Sequence, residues 1–236
     1  MTINGIDVTT YGARQHKVEF GYSDISNSSE WIRSAVLPHF EGTIGTWKHI
    51  GVILFVYGSG RDEIHEKVSK LYAQLMDPAD IVFDGISHRF RAVMTAHAEE
   101  EFTPNRCHKV TVTLQGYEYG EEISSTGNGT VRVMNPGSAE SPLLLTITPS
   151  VSAANVVLTG VCRNKRSGAD MPVTLQTVTR NVPIVLDGAN GLFTEGSSLK
   201  GDIVIKAVPA VKPGITDIVC SNASMVLAAT VLPLYL

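Results

Sequence analysis

At 236 residues the chain has room for one large or two modest domains, and a 43% hydrophobic share is enough to build real cores. A net charge of −4, with only 18% charged residues and no basic run longer than "RNKR" (163–166), speaks against a nucleic-acid-binding surface, which needs clustered Lys and Arg. Cys107, Cys162 and Cys220 are odd in number and far apart, which fits buried free thiols from a reducing cytoplasm, and no segment approaches the ~20 apolar residues of a membrane helix.

In chain order, the N-terminal "MTINGIDVTTYG" lacks the basic stretch and apolar core of a secretory signal. "TWKHIGVILFVYG" (46–58) is β-rich and apolar at its centre, which predicts a strand buried on both faces. "RDEIHEKVSKLYAQLMD" (61–77) places Ile64, Val68, Leu71, Tyr72 and Leu75 at helical spacing and predicts an amphipathic helix covering a sheet. Ser59 with Asp62 resembles a capping box, Glu63/Lys67 and Glu66/Lys70 are favourable i,i+4 pairs, and Pro78 closes the element.

"HRFRAVMTAHAEEEF" (88–102) and "CHKVTVTLQGYEYG" (107–120) flank the turn signal "TPNR" and read as one long hairpin, with Val110, Val112 and Leu114 on the buried side of the second strand. From 120 to 142 the chain turns rich in Gly, Ser, Thr, Asn and Pro, with only the short "TVRVM" inside, which places a domain boundary there. Beyond it come short apolar runs separated by turns, among them "LLLTITPS", "NVVLTGVCRN", "VTLQTVT", "VPIVLDG", "DIVIKAV" and "TDIVCS". That spacing predicts a β-sandwich or jelly roll. The fold class is therefore mainly β in two domains, 1–133 carrying the helix and 134–236 the sandwich.

Chemistry-bearing patterns are weak. "VLDGANGLFTEG" (185–196) gathers Asp187, Asn190 and Glu195, but a calcium loop needs ligands at fixed positions and flanking helices; Gly and Asn in left-handed conformations at a turn explain the same residues. "GSGRDEIHEK" lacks phosphate-loop spacing, and the histidines lack metal-ligand spacing, His97 beside Glu99 being the nearest approach. The triplet Glu99, Glu100, Glu101 could serve acid–base chemistry, but adjacent carboxylates repel, which favours solvated or interfacial charges at a hairpin tip. These patterns point to no catalytic residue, cofactor or metal.

Taken together, the chain resembles the distal tail proteins (Dit) of long-tailed, siphovirus-type bacteriophages and prophages. The resemblance lies in an ordered set of passages: "INGIDV" at the start, the helix followed by "LMDPADIVFDGISHRFRAVMTAHAEEEF", the strand "HKVTVTLQGYEYG", then "NPGSAESPLLLTITPS", "VPIVLDGANGLFTEG", "KPGITDIVCSNAS" and the final "LPLYL". It implies a homo-hexameric ring at the tail tip, with a tail-tube-like N-terminal belt domain around a channel through which DNA passes and a galectin-like C-terminal β-sandwich projecting outward. The implied partners are the tail tube protein, the tail-associated, lysin-like hub protein and receptor-binding or accessory baseplate proteins, without a membrane. The implied location is the virion, after assembly in the host cytoplasm. Glu99, Glu100, Glu101 and Phe102 are the candidate inter-subunit or channel contacts. Two rival readings are a carbohydrate-binding module, disfavoured because Phe193 and Tyr235 are the only aromatics after residue 120, and a tube or baseplate subunit of a contractile or phage-derived particle.

Overall fold

The computed structural model describes residues 1–21, 25–30, 39–45, 47–164 and 167–236, with side chains for all of these except 25–30 and 39–45; Lys165 and Arg166 of the basic run lie outside the described residues. Strands dominate, and the helix Arg61–Ala73 stands among them. No helix of the described residues is long and apolar enough to cross a membrane. The chain divides into two compact units, one of residues 1–27, 43–120 and 236, the other of 28–42 and 121–235. Ile25–Glu30 and His39–Gly45 pair with each other in a separate two-stranded sheet.

The first unit is built on an antiparallel sheet whose spatial order is Ile6–Asp7, Thr2–Ile3, Ala79–Val82, Arg89–Thr103, Cys107–Tyr119, Lys48–Tyr57 and Ala13–Phe20. It begins with a hairpin turned by Asn4 (φ 50°) and Gly5 (φ 78°), the left-handed pair that lets two-residue turns match strand twist. Ile50, Val52, Leu54 and Val56 alternate into the core with Val110, Val112 and Leu114 opposite. Ile64, Val68 and Leu71 of the helix join the same core. Each such side chain contributes roughly 1.5–3 kcal/mol of burial. The far face of Lys48–Tyr57 is only half-covered, so the strand is one-sided rather than buried on both faces: Gly51, Ile53 and Phe55 alternate outward.

The helix is shorter than its apolar spacing suggests. Gln74 caps it, and the amides of Gln74 and Leu75 bond back to Leu71 and Tyr72 in a tightened last turn that still buries Leu75. Its start is also capped differently. Gly60 is the N-cap, and Glu63 rather than Asp62 reaches back, accepting from the Ser59 amide at 2.7 Å and its hydroxyl at 2.5 Å. Ser59 and Lys67 (2.6 Å) hold Glu63 well below the ordinary carboxylate range, at about 2, with the Lys67 bond the larger influence.

In the second unit, one antiparallel sheet runs Ile123–Asn128, Met225–Val231, Ser141–Pro149, Ile184–Asp187, Leu192–Glu195 and Ser198–Leu199. The other runs Thr130–Asn135, Gly214–Cys220, Ala153–Arg163, Asp170–Val178 and Ile203–Val204. Leu143, Leu145, Leu186 and Leu227 from the first meet Val133, Leu158, Leu175 and Ile218 from the second in one core, as face-to-face sheets require. Ile123–Asn128 is a strand despite its turn-like composition, because it pairs residue for residue with Met225–Val231 and Ser124 meets Thr230 across the ladder at 2.9 Å. The run "DIVIKAV" is mostly not a strand: only Ile203 and Val204 enter the ladder, while Ile205 and Ala207 still pack against the core.

Candidate functional site at the acidic end of the long hairpin

Arg89–Thr103 and Cys107–Tyr119 form the long hairpin, closed by a turn in which Asn105 takes a left-handed φ of 58°. Register shifts between Met94 and Ala96 and between Glu101 and Thr103 set which side chains meet at its end. Glu100 stands opposite Lys109, and Glu101 opposite His108. The side-chain partners fall out differently on the two faces.

Each of the three acids has its own side-chain partner. Glu99 Oε1 bonds the Nδ1 edge of His108 and lies 3.8 Å from His65 Nδ1 of the helix. Glu100 Oε2 is 3.3 Å from Lys109 Nζ. Glu101 takes a forked contact from Arg61, Nη2 to Oε2 at 2.7 Å and Nε to Oε1 at 3.3 Å, and accepts the Asn105 amide at 3.0 Å. The Arg61 bond and then the Asn105 amide lower the Glu101 carboxyl below its usual range, and Glu101 in turn raises Arg61. Repulsion along the triplet is thus answered locally by pairing. His97, singled out beside Glu99, instead packs its ring 4.4 Å from that of Tyr72; the histidine that meets Glu99 is His108.

Phe102 is 63% exposed, with its ring 4.9 Å from Phe55, which in turn lies 5.0 Å from the ring of His16. Toward the other end of the hairpin, Trp47 is 51% exposed and sits 6.4 Å from Tyr117. Arg61, His65, Glu99, Glu101 and His108 line a shallow hollow of about 320 Å³. His108 is buried there, and its Nε2 has no hydrogen-bond partner among the described residues. No cluster of three or more His, Cys, Asp or Glu among the described residues could hold a metal ion. Chemically the hollow offers the Arg61–Glu101 pair, the Glu99–His108 pair and one unpartnered imidazole edge, set in a shallow surface recess rather than an enclosed cleft.

The stretch 185–196 is a hairpin turn. Asp187 Oδ1 accepts the amides of Ala189 (2.9 Å) and Asn190 (3.0 Å), and Oδ2 accepts the Asn190 side-chain amide at 2.7 Å. Gly191 supplies the left-handed angle (φ 64°); Asn190 contributes its side chain and amide rather than a left-handed backbone. Glu195 faces inward to Lys200, whose side chain is fully buried and also reaches Asp202 at 2.6 Å and the Thr177 carbonyl at 2.7 Å. Sequence reasoning missed this cluster. The spacing Glu195, Lys200, Asp202 around a Gly–Ser–Ser turn was its only signal.

No protein-family profile matches the sequence, and no curated protein does. Solved structures do. The Dit protein of phage SPP1, described as a paradigm of the hub adsorption apparatus in Gram-positive-infecting phages, is similar over 99% of this chain and 98% of its own, with a TM-score of 0.75 at 14% identity. The phage P2 baseplate in its activated conformation is similar with calcium (TM-score 0.50, 9% identity) and with strontium (0.50, 10%), over 95% of this chain and 92% of that one. This chain has the fold of the phage distal tail protein Dit, the family its sequence resembles.

Proposed function

We propose that the chain is a structural protein of a phage tail tip: a homo-hexameric hub ring that joins the tail tube to a tail-associated hub protein, lets DNA pass through its channel, and offers its outer domain to receptor-binding or accessory proteins. The observation that carries this reading is the fold likeness to SPP1 Dit, which runs through nearly the whole of both chains. In the proposal the first compact unit is the tail-tube-like belt and the second is the galectin-like outward domain.

Other features support it. Exposed aromatics stand toward both ends of the long hairpin, Phe102 at one and Trp47 with Tyr117 at the other, and large apolar side chains at a surface suit burial between subunits. Closing a ring also covers sheet edges that would otherwise invite aggregation. A net charge of −4 favours DNA passage over retention. The acidic triplet and Phe102 are assigned to inter-subunit contact in this reading. Phe193 is partly buried against the core, so it offers no stacking platform for a neutral sugar ring.

The test is immunogold electron microscopy of particles released by cells that encode the chain, with antibody against the purified protein. Label at the tail end distal to the capsid supports the assignment. Label on capsids, along the whole tail, or on no particle contradicts it.

A further inference from the structure

The second unit carries a cleft of about 610 Å³, within the range of small-ligand pockets, that the tail-tip reading does not use. Among the described residues three charged side chains line it: Arg163 at the end of Ala153–Arg163, Glu140 just before Ser141–Pro149, and Lys206 in the segment after Ile203–Val204. None makes an ion pair or side-chain hydrogen bond among the described residues. The most telling is Arg163. Its Nε is buried without an acceptor, a state that native proteins rarely leave unanswered. Its cross-strand neighbour Asp170 could have answered it, but turns its carboxylate to the Gly160 amide at 2.7 Å.

The walls are held in place. Cys162 Sγ donates to the Ala207 carbonyl at 3.1 Å, and the Leu143 amide donates to the Pro209 carbonyl at 3.2 Å. Gly188 packs so tightly that a Cβ there would stand 1.9 Å from the Pro209 oxygen. The guanidinium and ammonium therefore line a preformed cleft, beside the aliphatic surfaces of Pro142, Met171 and Val208.

We propose that this cleft binds a saccharide bearing an acid group, phosphate or carboxylate. The two terminal Nη groups of Arg163, whose Nε is closed off from solvent, and Lys206 take the anion, since the end of a guanidinium recognises such groups with two parallel hydrogen bonds. The unpaired Glu140 carboxylate accepts hydroxyl protons, and Pro142, Met171 and Val208 meet the C–H face of the ring. Charge takes the place of aromatic stacking, since none of the described residues lining the cleft is aromatic. Glu140 is also what disfavours an acidic peptide, whose further carboxylates would be repelled.

The experiment is calorimetric titration of the full chain with glucose 6-phosphate, glucuronate, glucose, inorganic phosphate and a hexaglutamate peptide. Wild type is compared with Arg163→Gln, Lys206→Gln, Glu140→Gln and the charge-matched surface control Arg132→Gln, all first checked for wild-type circular dichroism. The expected result is saturable binding of one or both acid-bearing sugars, about tenfold weaker for glucose and for inorganic phosphate. R163Q and K206Q lose about tenfold on those sugars, R132Q loses nothing, and E140Q weakens the sugars without weakening inorganic phosphate. No saturable binding by either acid-bearing sugar overturns the proposal, as does equal binding by R163Q and R132Q. Inorganic phosphate binding as tightly as the sugars removes the saccharide. Tighter binding of the peptide makes the occupant an acidic protein segment and also overturns the proposal.

Discussion

Lys200 Nζ lies 2.6 Å from Asp202 Oδ1 with its side chain wholly withdrawn from solvent, and the same ammonium reaches Glu195 at 2.8 Å. Glu195 also accepts the Thr179 amide and Asp202 the Thr177 amide, each at 3.0 Å, so one buried lysine joins the turn after Asp170–Val178 to the hairpin end and the following segment. Removing it leaves two carboxylates facing each other. Lys200→Met therefore destabilises the chain by about 3 kcal/mol, the scale for breaking a buried ion pair from one side. Urea denaturation followed by circular dichroism measures it, and a loss no larger than that of a surface lysine would refute the cluster's role.

Of the carboxylates held low, Glu101 among them, two are depressed furthest, one in each unit, and both shape the acid limb of stability. Lys200 first, then Thr177, holds Asp202 at about 2 against an ordinary 3.8, and Lys67 with Ser59 holds Glu63 at about 2 against 4.5. Both are depressed, so their contribution is complete above the ordinary value and is lost as pH falls toward 2. Asp202→Asn and Glu63→Gln each flatten the fall in melting temperature, between pH 4 and 2 for the first and between pH 5 and 2 for the second. Variants that track the wild-type slope throughout would contradict the assignment.

Two glycines of one hairpin turn respond differently. At Gly188 a Cβ would meet the Pro209 carbonyl at 1.9 Å, a backbone atom that cannot swing away; at Gly191 nothing lies within 4 Å and only the φ of 64° resists a side chain. Gly191→Ala costs about 1 kcal/mol from the left-handed backbone. Gly188→Ala costs more, about 3 kcal/mol on the scale of overpacked sites. Thermal melts of the pair give the ordering, and G191A being the worse of the two would contradict it.

The cysteines are closed to reagents. Burial pushes the Cys162 thiol up to about 12, with Asp170 adding to it, and burial also raises Cys107 and Cys220. All three are buried and unbridged. At pH 8 an aromatic disulfide reagent titrates no thiol in the folded chain within minutes and three in guanidinium. Rapid labelling of Cys162 in the native state would show that its strand opens.

Phe102 tests the assignment of the acidic hairpin end. It is exposed, so Phe102→Glu leaves the monomer's melting temperature within about 1 °C while separating subunits in a ring that buries it. Sedimentation measures the mass of wild type and variant. An unchanged oligomer would place the interface elsewhere.

Much of this architecture is written in periodicity. The spacing of Ile64, Val68 and Leu71 marks the helix, and the alternation of Val110, Val112 and Leu114 marks the hairpin strand, because each repeats along a single element. What could not be read depends on partners distant in sequence. Ile123–Asn128 has turn-forming residues and becomes a strand only because Met225–Val231 lies beside it. Glu99 meets His108 and not His97 because strand register and its shifts decide who faces whom. The Arg163 cleft draws on five separate stretches between Glu140 and Ala210, so no local motif announces it.

The most direct test of the tail-tip account is negative-stain electron microscopy of the purified protein with its solution mass measured alongside. The account predicts six-fold rings with a central hole, peripheral knobs and a mass six times the 25.4 kDa chain. A monomer at every concentration, both alone and when mixed with a phage tail tube protein, would contradict it.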